Sequence, residues 1–224
     1  MMPLRLSVLD QSPIAAGTSA ADAVEATIAL AQTADARGYH RFWVAEHHAT
    51  PMLAGCAPEV LIGPLARATQ RIRVGSGGVM LPHYSPFKIA ESFRLLSALA
   101  PGRIDLGIGR APGTDGLTAF ALQRDRTHRA PDDFPKSLAE LLAYLDDSLP
   151  AHHPFAGLAR TLPGGGGGSP APPGCSAARR TARIGRRRSG CLIASPISST
   201  RTAPSSPGSI ARISGPRRGS PSLM

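Results

Sequence analysis

The sequence predicts an α/β chain of the (β/α)8 TIM-barrel type, with the first half of a barrel in residues 1–155 and a disordered tail in 156–224. Three observations lead there. From residue 4 onward, short apolar runs alternate with longer runs whose apolar positions recur at helical spacing. The strand candidates are apolar on both faces, as strands of a covered parallel sheet are. Four such units fill about 110 residues, close to half of the roughly 250 that an eight-unit barrel needs. A doubly wound open sheet is the alternative that these patterns leave open.

The elements follow in order. Leu4–Asp10 (LRLSVLD) is the first strand. Ser19–Arg37 is an Ala-rich helix with Val24, Ile28, Ala31 and Ala34 at helical spacing; Thr18 or Ser19 can cap it and Gly38 can stop it. Phe42–Ala45 (FWVA) is the second strand. Pro58–Ala68 is a helix with proline in its first turn, where a missing N–H removes no internal bond. Ile72–Val74 opens a third strand that runs towards Met80. Pro86–Leu99 is a helix ended by Pro101 and Gly102, Ile104–Ile108 a fourth strand, and Asp132–Leu149 a further helix.

The net charge of +10 is unevenly placed. All 15 acidic residues lie at or before Asp147, and fourteen of the 25 basic residues share residues 1–150 with them, so that stretch is nearly neutral. The residues beyond carry eleven arginines and no acid. From Gly157 on, Gly, Ser, Arg, Pro and Ala dominate, with no aromatic side chain, so disorder is expected there. Arg179, Arg180, Arg183 and Arg186–Arg188 could hold phosphates in a salt-dependent way. Nucleic-acid binding through this tail is the non-enzymatic alternative, but nothing in it can stack on bases, and no specific nucleic acid is expected as a partner.

Cys56, Cys175 and Cys191 have no paired spacing, which suggests neither a disulfide framework nor a zinc site. Met1–Pro13 has one early cation, Arg5, and Asp10 interrupts its apolar run, unlike a signal peptide. No apolar run approaches the ~18–20 residues of a membrane helix. A soluble, cytoplasmic protein without a membrane partner is expected.

Three unusual clusters fall at the C-terminal ends of successive strands, where barrels of this type place their active sites. They are Glu46-His47-His48, the glycine-rich Gly75–Pro82, and Gly107–Gly113 with Arg110. A histidine here suits proton transfer near neutral pH, or it is a structural histidine bonded at a strand end. The adjacent Glu46, His47 and His48 alternate in direction on a strand and lack HExxH spacing, so no metal site is expected. The glycines allow close backbone approach to a flat ring; a bulge or tight packing is the alternative. Gly107 and Gly109 do not complete a dinucleotide loop, because position 112 is proline. Glu46 and Asp105 are candidates for structural ion partners.

The segments FWVAEHHATP, IRVGSGGVMLPHYSPFKIAESFRLL and GRIDLGIGRAPG resemble the luciferase-like flavin-dependent monooxygenases, over roughly residues 4–155. The resemblance implies an eight-stranded barrel, reduced FMN delivered by a separate flavin reductase, O2 as co-substrate and a small organic substrate. It implies that His47 is the catalytic acid or base near the flavin. It places a non-proline cis peptide at Gly77-Gly78 under the ring and Arg110 at the flavin phosphate. Together Glu46, Gly77, Gly78, Gly109 and Arg110 would bind the cofactor along one side. A deazaflavin, F420, used by a related branch, is the alternative cofactor, and a homodimer the expected assembly. Where the family continues with a strand, an LGSS-type loop and a helix, this chain reads GGGGGSPAPPGCSAARRTA. A reading-frame change near Gly164 in a GC-rich gene would produce such a stretch. The expected consequence is a truncated, incomplete flavin site, with weak FMN binding and lost activity.

Overall fold

The computed structural model describes residues 4–163. Its elements, in chain order, are β1 (Ser7–Asp10), α1 (Ala20–Ala36), β2 (Arg41–Val44), α2 (Pro58–Ala68), β3 (Arg73–Met80), α3 (Pro86–Leu99), β4 (Ile104–Gly109), α4 (Gly116–Ala121), α5 (Phe134–Leu145) and α6 (Ala156–Ala159). The four strands form one parallel sheet in the order β1-β2-β3-β4. A doubly wound sheet reverses direction at a switch point. Here each new strand is added on the same side as the last, which is how a barrel grows. Contacts run α1 to α2, α2 to α3 and α3 to α5, so these helices form one layer over one face of the sheet.

Strand alternation sorts the side chains. Phe42, Val44, Val74, Ile104, Leu106 and Ile108 are buried in the helix-covered core with Ile62, Leu65, Ile89 and Phe93. The other face carries Leu9, Trp43, Gly75, Gly77 and an ionic layer. In that layer Asp105 accepts from Arg41 Nε (2.9 Å) and from Arg73 Nη2 (2.6 Å) and Nε (2.8 Å), tying β2, β3 and β4 together near their N-terminal ends. Asp105 is thus the structural ion partner expected of it.

Local chemistry accounts for the boundaries. Ser19 caps α1 in a reciprocal box: its hydroxyl accepts from Asp22 N (3.2 Å), and the Asp22 carboxylate accepts from Ser19 N (2.8 Å). Gly38, at φ +74, ends the helix. Pairing in β1 begins at Ser7, opposite Arg41, so the strand is shorter than Leu4–Asp10. Helix α5 is shorter than expected at both ends. Pro135 fits only its first turn, Asp132 is drawn to Arg110, and Asp147 at φ +51 breaks the far end. Helix α4 and a single 3-10 turn at Leu81–His83 were not legible beforehand. Packed structure also runs past residue 155. Helix α6 follows, and Ala159 and Leu162 join the core, so the fold continues to Pro163. The rest of the expected tail, with its pentaglycine, its arginine cluster and the cysteines Cys175 and Cys191, lies outside the described residues. Among the described residues no helix is long and apolar enough to cross a membrane.

Arg94 locks α3 to the end of α5. It is fully buried and donates through Nη2 to the Tyr144 carbonyl (2.6 Å) and to Asp147 Oδ1 (2.5 Å). Removing it leaves those acceptors unpaired and a cavity behind. Arg94→Ala is expected to cost about 3–5 kcal/mol in urea unfolding. Glu91→Ala, which removes only an exposed 3.5 Å pair with Lys88, should stay within about 0.5 kcal/mol.

Candidate active site

The C-terminal end of β2 leads into Glu46, His47 and His48. Glu46 is completely buried. One carboxylate oxygen pairs with His48 Nε2 (2.8 Å) and accepts from the Tyr84 hydroxyl (3.1 Å). The other accepts from the backbone N–H of Met80 (2.9 Å). One side chain therefore joins the ends of β2 and β3 and the turn that follows β3. Burial, and next the charge of Glu46, push the Tyr84 phenol well above its ordinary range, so it stays protonated and keeps donating. Glu59, in the first turn of α2, is raised above the ordinary carboxylate range by burial, with the Glu46 charge adding to it.

His47 is held differently. Its backbone N–H donates to the Gly55 carbonyl (2.9 Å), which fixes the main chain. Its ring nitrogen Nδ1 is buried and has no hydrogen-bond partner. A buried polar atom without a partner costs about 1–3 kcal/mol unless something else meets it. His48 is satisfied by Glu46, and its backbone N–H reaches the Gly113 carbonyl (3.4 Å) beyond β4. Its ring meets His83 edge to face at 5.7 Å, and His83 Nε2 is 2.7 Å from the Pro112 carbonyl. The two histidines thus divide: His48 braces three strand ends, and His47 carries the open nitrogen.

The glycine-rich stretch lies within β3. The Gly77-Gly78 peptide is cis, as the family resemblance implies, and the β3–β4 register shifts between Ser76 and Val79. The bulge and the tight packing expected of the glycines are both present. A Cβ on Gly78 would lie 2.7 Å from the Gly107 carbonyl carbon and oxygen, and one on Gly77 would lie 3.0 Å from Leu9 Cδ1. Two backbones touch here with no room for a side chain. Ser76 Oγ fills the interrupted ladder, donating to the Gly107 carbonyl (2.9 Å) and accepting from Gly107 N–H (3.0 Å).

Strand β4 ends at Gly109, which is buried, and is followed by Arg110, whose side chain is 65% exposed. Arg110 pairs with Asp132 and lies 5.9 Å over the Phe134 ring. The Arg110 hydrogen bond holds the Asp132 carboxyl below its ordinary range. The structure therefore gathers Glu46, His47, Gly77, Gly78 and Gly109 at adjacent strand ends and turns Arg110 towards the segment before α5. Sequence reasoning missed Ser76, His83 and Tyr84. A polar residue inside a glycine-rich strand and the HY pair after Pro82 were the available signals.

The family model described as luciferase-like monooxygenase matches residues 2–185. The N-acetyl-S-alkylcysteine monooxygenase of Bacillus subtilis is 54% identical over 156 residues, 69% of this chain and 46% of that protein. The crystal structure of apo-MsnO8 superposes with a TM-score of 0.62 at 49% identity, covering 66% of this chain and 44% of that one. The oxygenating constituent of 3,6-diketocamphane monooxygenase from Pseudomonas putida, in complex with FMN, superposes with a TM-score of 0.56 at 25% identity, covering 64% of this chain and 40% of that one. The chain spans about half the length of the curated relatives it matches. A family match over residues 2–185, on a parallel sheet that grows as a barrel does, means that the chain belongs to the luciferase-like monooxygenase family.

Proposed function

We propose that this chain carries the ring-binding side of an FMN-dependent monooxygenase site, in which a small organic substrate is oxidised with O2 and His47 moves the proton. The observation that carries this is the unpartnered, buried Nδ1 of His47, set among neighbours that satisfy one another. Two features fit a flavin. Gly77 and Gly78 keep β3 slim against Leu9, Trp43 and the Gly107 backbone, next to the strand ends where the ring is proposed to lie. His47 supplies a hydrogen-bonding atom that nothing else uses. Reduced FMN, brought by a separate reductase, would supply the electrons that activate O2. FMN is favoured over F420 because a solved relative with the same fold holds FMN.

The residues then have distinct tasks. His47 takes up or gives a proton at Nδ1, with its backbone pinned to Gly55. Glu46 acts through Tyr84, His48 and Met80, keeping the ends of β2 and β3 together. Gly109 leaves the end of β4 slim. Arg110 is the proposed phosphate contact, because its exposed pair with Asp132 is worth little and can be exchanged. A guanidinium grips phosphate through paired N–H groups.

A chimera tests the assignment directly. Residues 4–163 of this chain, joined to the remaining half of the Bacillus subtilis N-acetyl-S-alkylcysteine monooxygenase, would be assayed on that enzyme's substrate with reduced FMN and O2. His47→Ala in the chimera is expected to lower kcat by ~10²–10⁴-fold and leave flavin binding intact. Unchanged turnover would remove His47 from the site. A second expectation concerns the glycine floor. Gly78→Ala in this chain should lose about 3 kcal/mol or more in urea unfolding, since the new Cβ meets backbone. Gly116→Ala, where a Cβ meets nothing within 4 Å, should change stability by less than about 1 kcal/mol.

A further inference from the structure

The opposite end of the sheet holds a cleft that the proposed chemistry does not use. Its volume is about 680 Å³, and Arg5, Arg37, Arg71, Arg73, His40 and Asp35 line it. These residues come from three segments: the stretch before β1, the α1–β2 connection, and the approach to β3 with its first residue. All lie at the N-terminal side of the strands, away from His47 and Gly78.

The one carboxylate in the lining can offset only one of these cations. Asp35 is buried, and its oxygens accept backbone N–H groups from Gln70 (2.6 Å), Ile72 (2.8 Å) and Arg71 (3.1 Å). Arg73 is committed to Asp105. The Arg71 side chain donates to the Asp35 carbonyl at 3.3 Å, and its charge also acts on the Asp35 carboxylate. Arg5 and Arg37 are exposed and have no hydrogen-bonding or ionic side-chain partner among the described residues. The dipole at the C-terminus of α1 accounts for a cation at Arg37. It does not account for Arg5 and Arg71, which come to the same concavity from other segments and repel it. The ring of His40 senses the resulting field. Burial lowers its pKa first, the charges of Arg41, Arg5 and Arg73 lower it further, and Asp105 opposes them only in part.

We propose that this cleft binds the polyphosphate group of a small molecule, with Arg5, Arg37 and Arg71 as the residues that grip it. Guanidinium groups hold phosphate oxygens in paired, charge-assisted bonds. Several such groups on separate segments match a chain of phosphates better than a single one. The volume lies within the ~300–1,000 Å³ typical of small-molecule sites. Free polyphosphate and a nucleoside triphosphate share this chemistry.

The test uses the full chain and reads His40 by NMR, its signal assigned with His40→Gln. Without ligand, His40 should titrate below the ordinary imidazole range. Tripolyphosphate and ATP should each raise its pKa and bind saturably, with an affinity that falls steeply as NaCl rises. Adenosine should do neither. Arg5→Gln combined with Arg37→Gln should weaken binding at least tenfold, whereas Arg124→Gln, an exposed charge elsewhere, should not. The arginines of residues 179–188 can also hold polyanions, so the readout is the His40 shift and its loss in the Arg5 and Arg37 double variant rather than total binding. A His40 pKa indifferent to saturating tripolyphosphate would overturn the proposal. So would an undiminished His40 shift in the double variant, or a single phosphate matching tripolyphosphate.

Discussion

Between Gly78 and Gly107 there is space for two backbones and nothing more. A methyl group on Gly78 would stand 2.7 Å from the neighbouring carbonyl, so β3 and β4 meet there without side chains. Much of the site depends on that approach. The register shifts across it, and the Ser76 hydroxyl replaces ladder bonds that the shift interrupts. The same shift sets Met80 where its N–H reaches the Glu46 carboxylate at 2.9 Å. A packing constraint on two glycines thereby becomes a polar connection across three strand ends.

Glu46 then separates two adjacent histidines by role. The His48 ring bonds to Glu46, whereas the His47 ring does not. The carboxylate accepts from Tyr84 and Met80 and pairs with His48, so both of its buried oxygens have partners. His47 is left with a fixed main chain and an unsatisfied ring nitrogen. The ionic layer of Arg41, Asp105 and Arg73 does comparable bracing at the other end of the strands.

Most of the fold was legible because the elements that build the core announce themselves locally. Pro58–Ala68 and Pro86–Leu99 stand where proline and helical spacing put them, and Ser19 caps α1 as its residue type suggests. Strand ends were less legible, because pairing partners decide them: Leu4–Leu6 is apolar, yet ladder pairing starts at Ser7. Helix α4 was missed since its cap works through Asp115, whose carboxylate accepts from Leu117 and Thr118 and is held down at about 2, led by the Thr118 bond. Glu46, His47 and the glycines were found through their position at strand ends. Tyr84 and His83 were not, because their roles come from a turn that brings them back over Glu46 and Pro112.

On the proposed reading residues 4–163 seat the flavin ring, while among the described residues the phosphate finds one exchangeable arginine, Arg110. Anion sites ordinarily rest on several backbone N–H groups at a helix start. The direct measurement is a titration of the full chain with FMN and, separately, with riboflavin, following flavin fluorescence and the His47 ring signals. Both flavins are expected to shift His47 and to bind with similar affinities, each weaker than micromolar, which corresponds to less than ~8 kcal/mol. FMN binding more than tenfold tighter than riboflavin, or His47 signals untouched by either flavin, would contradict the claim.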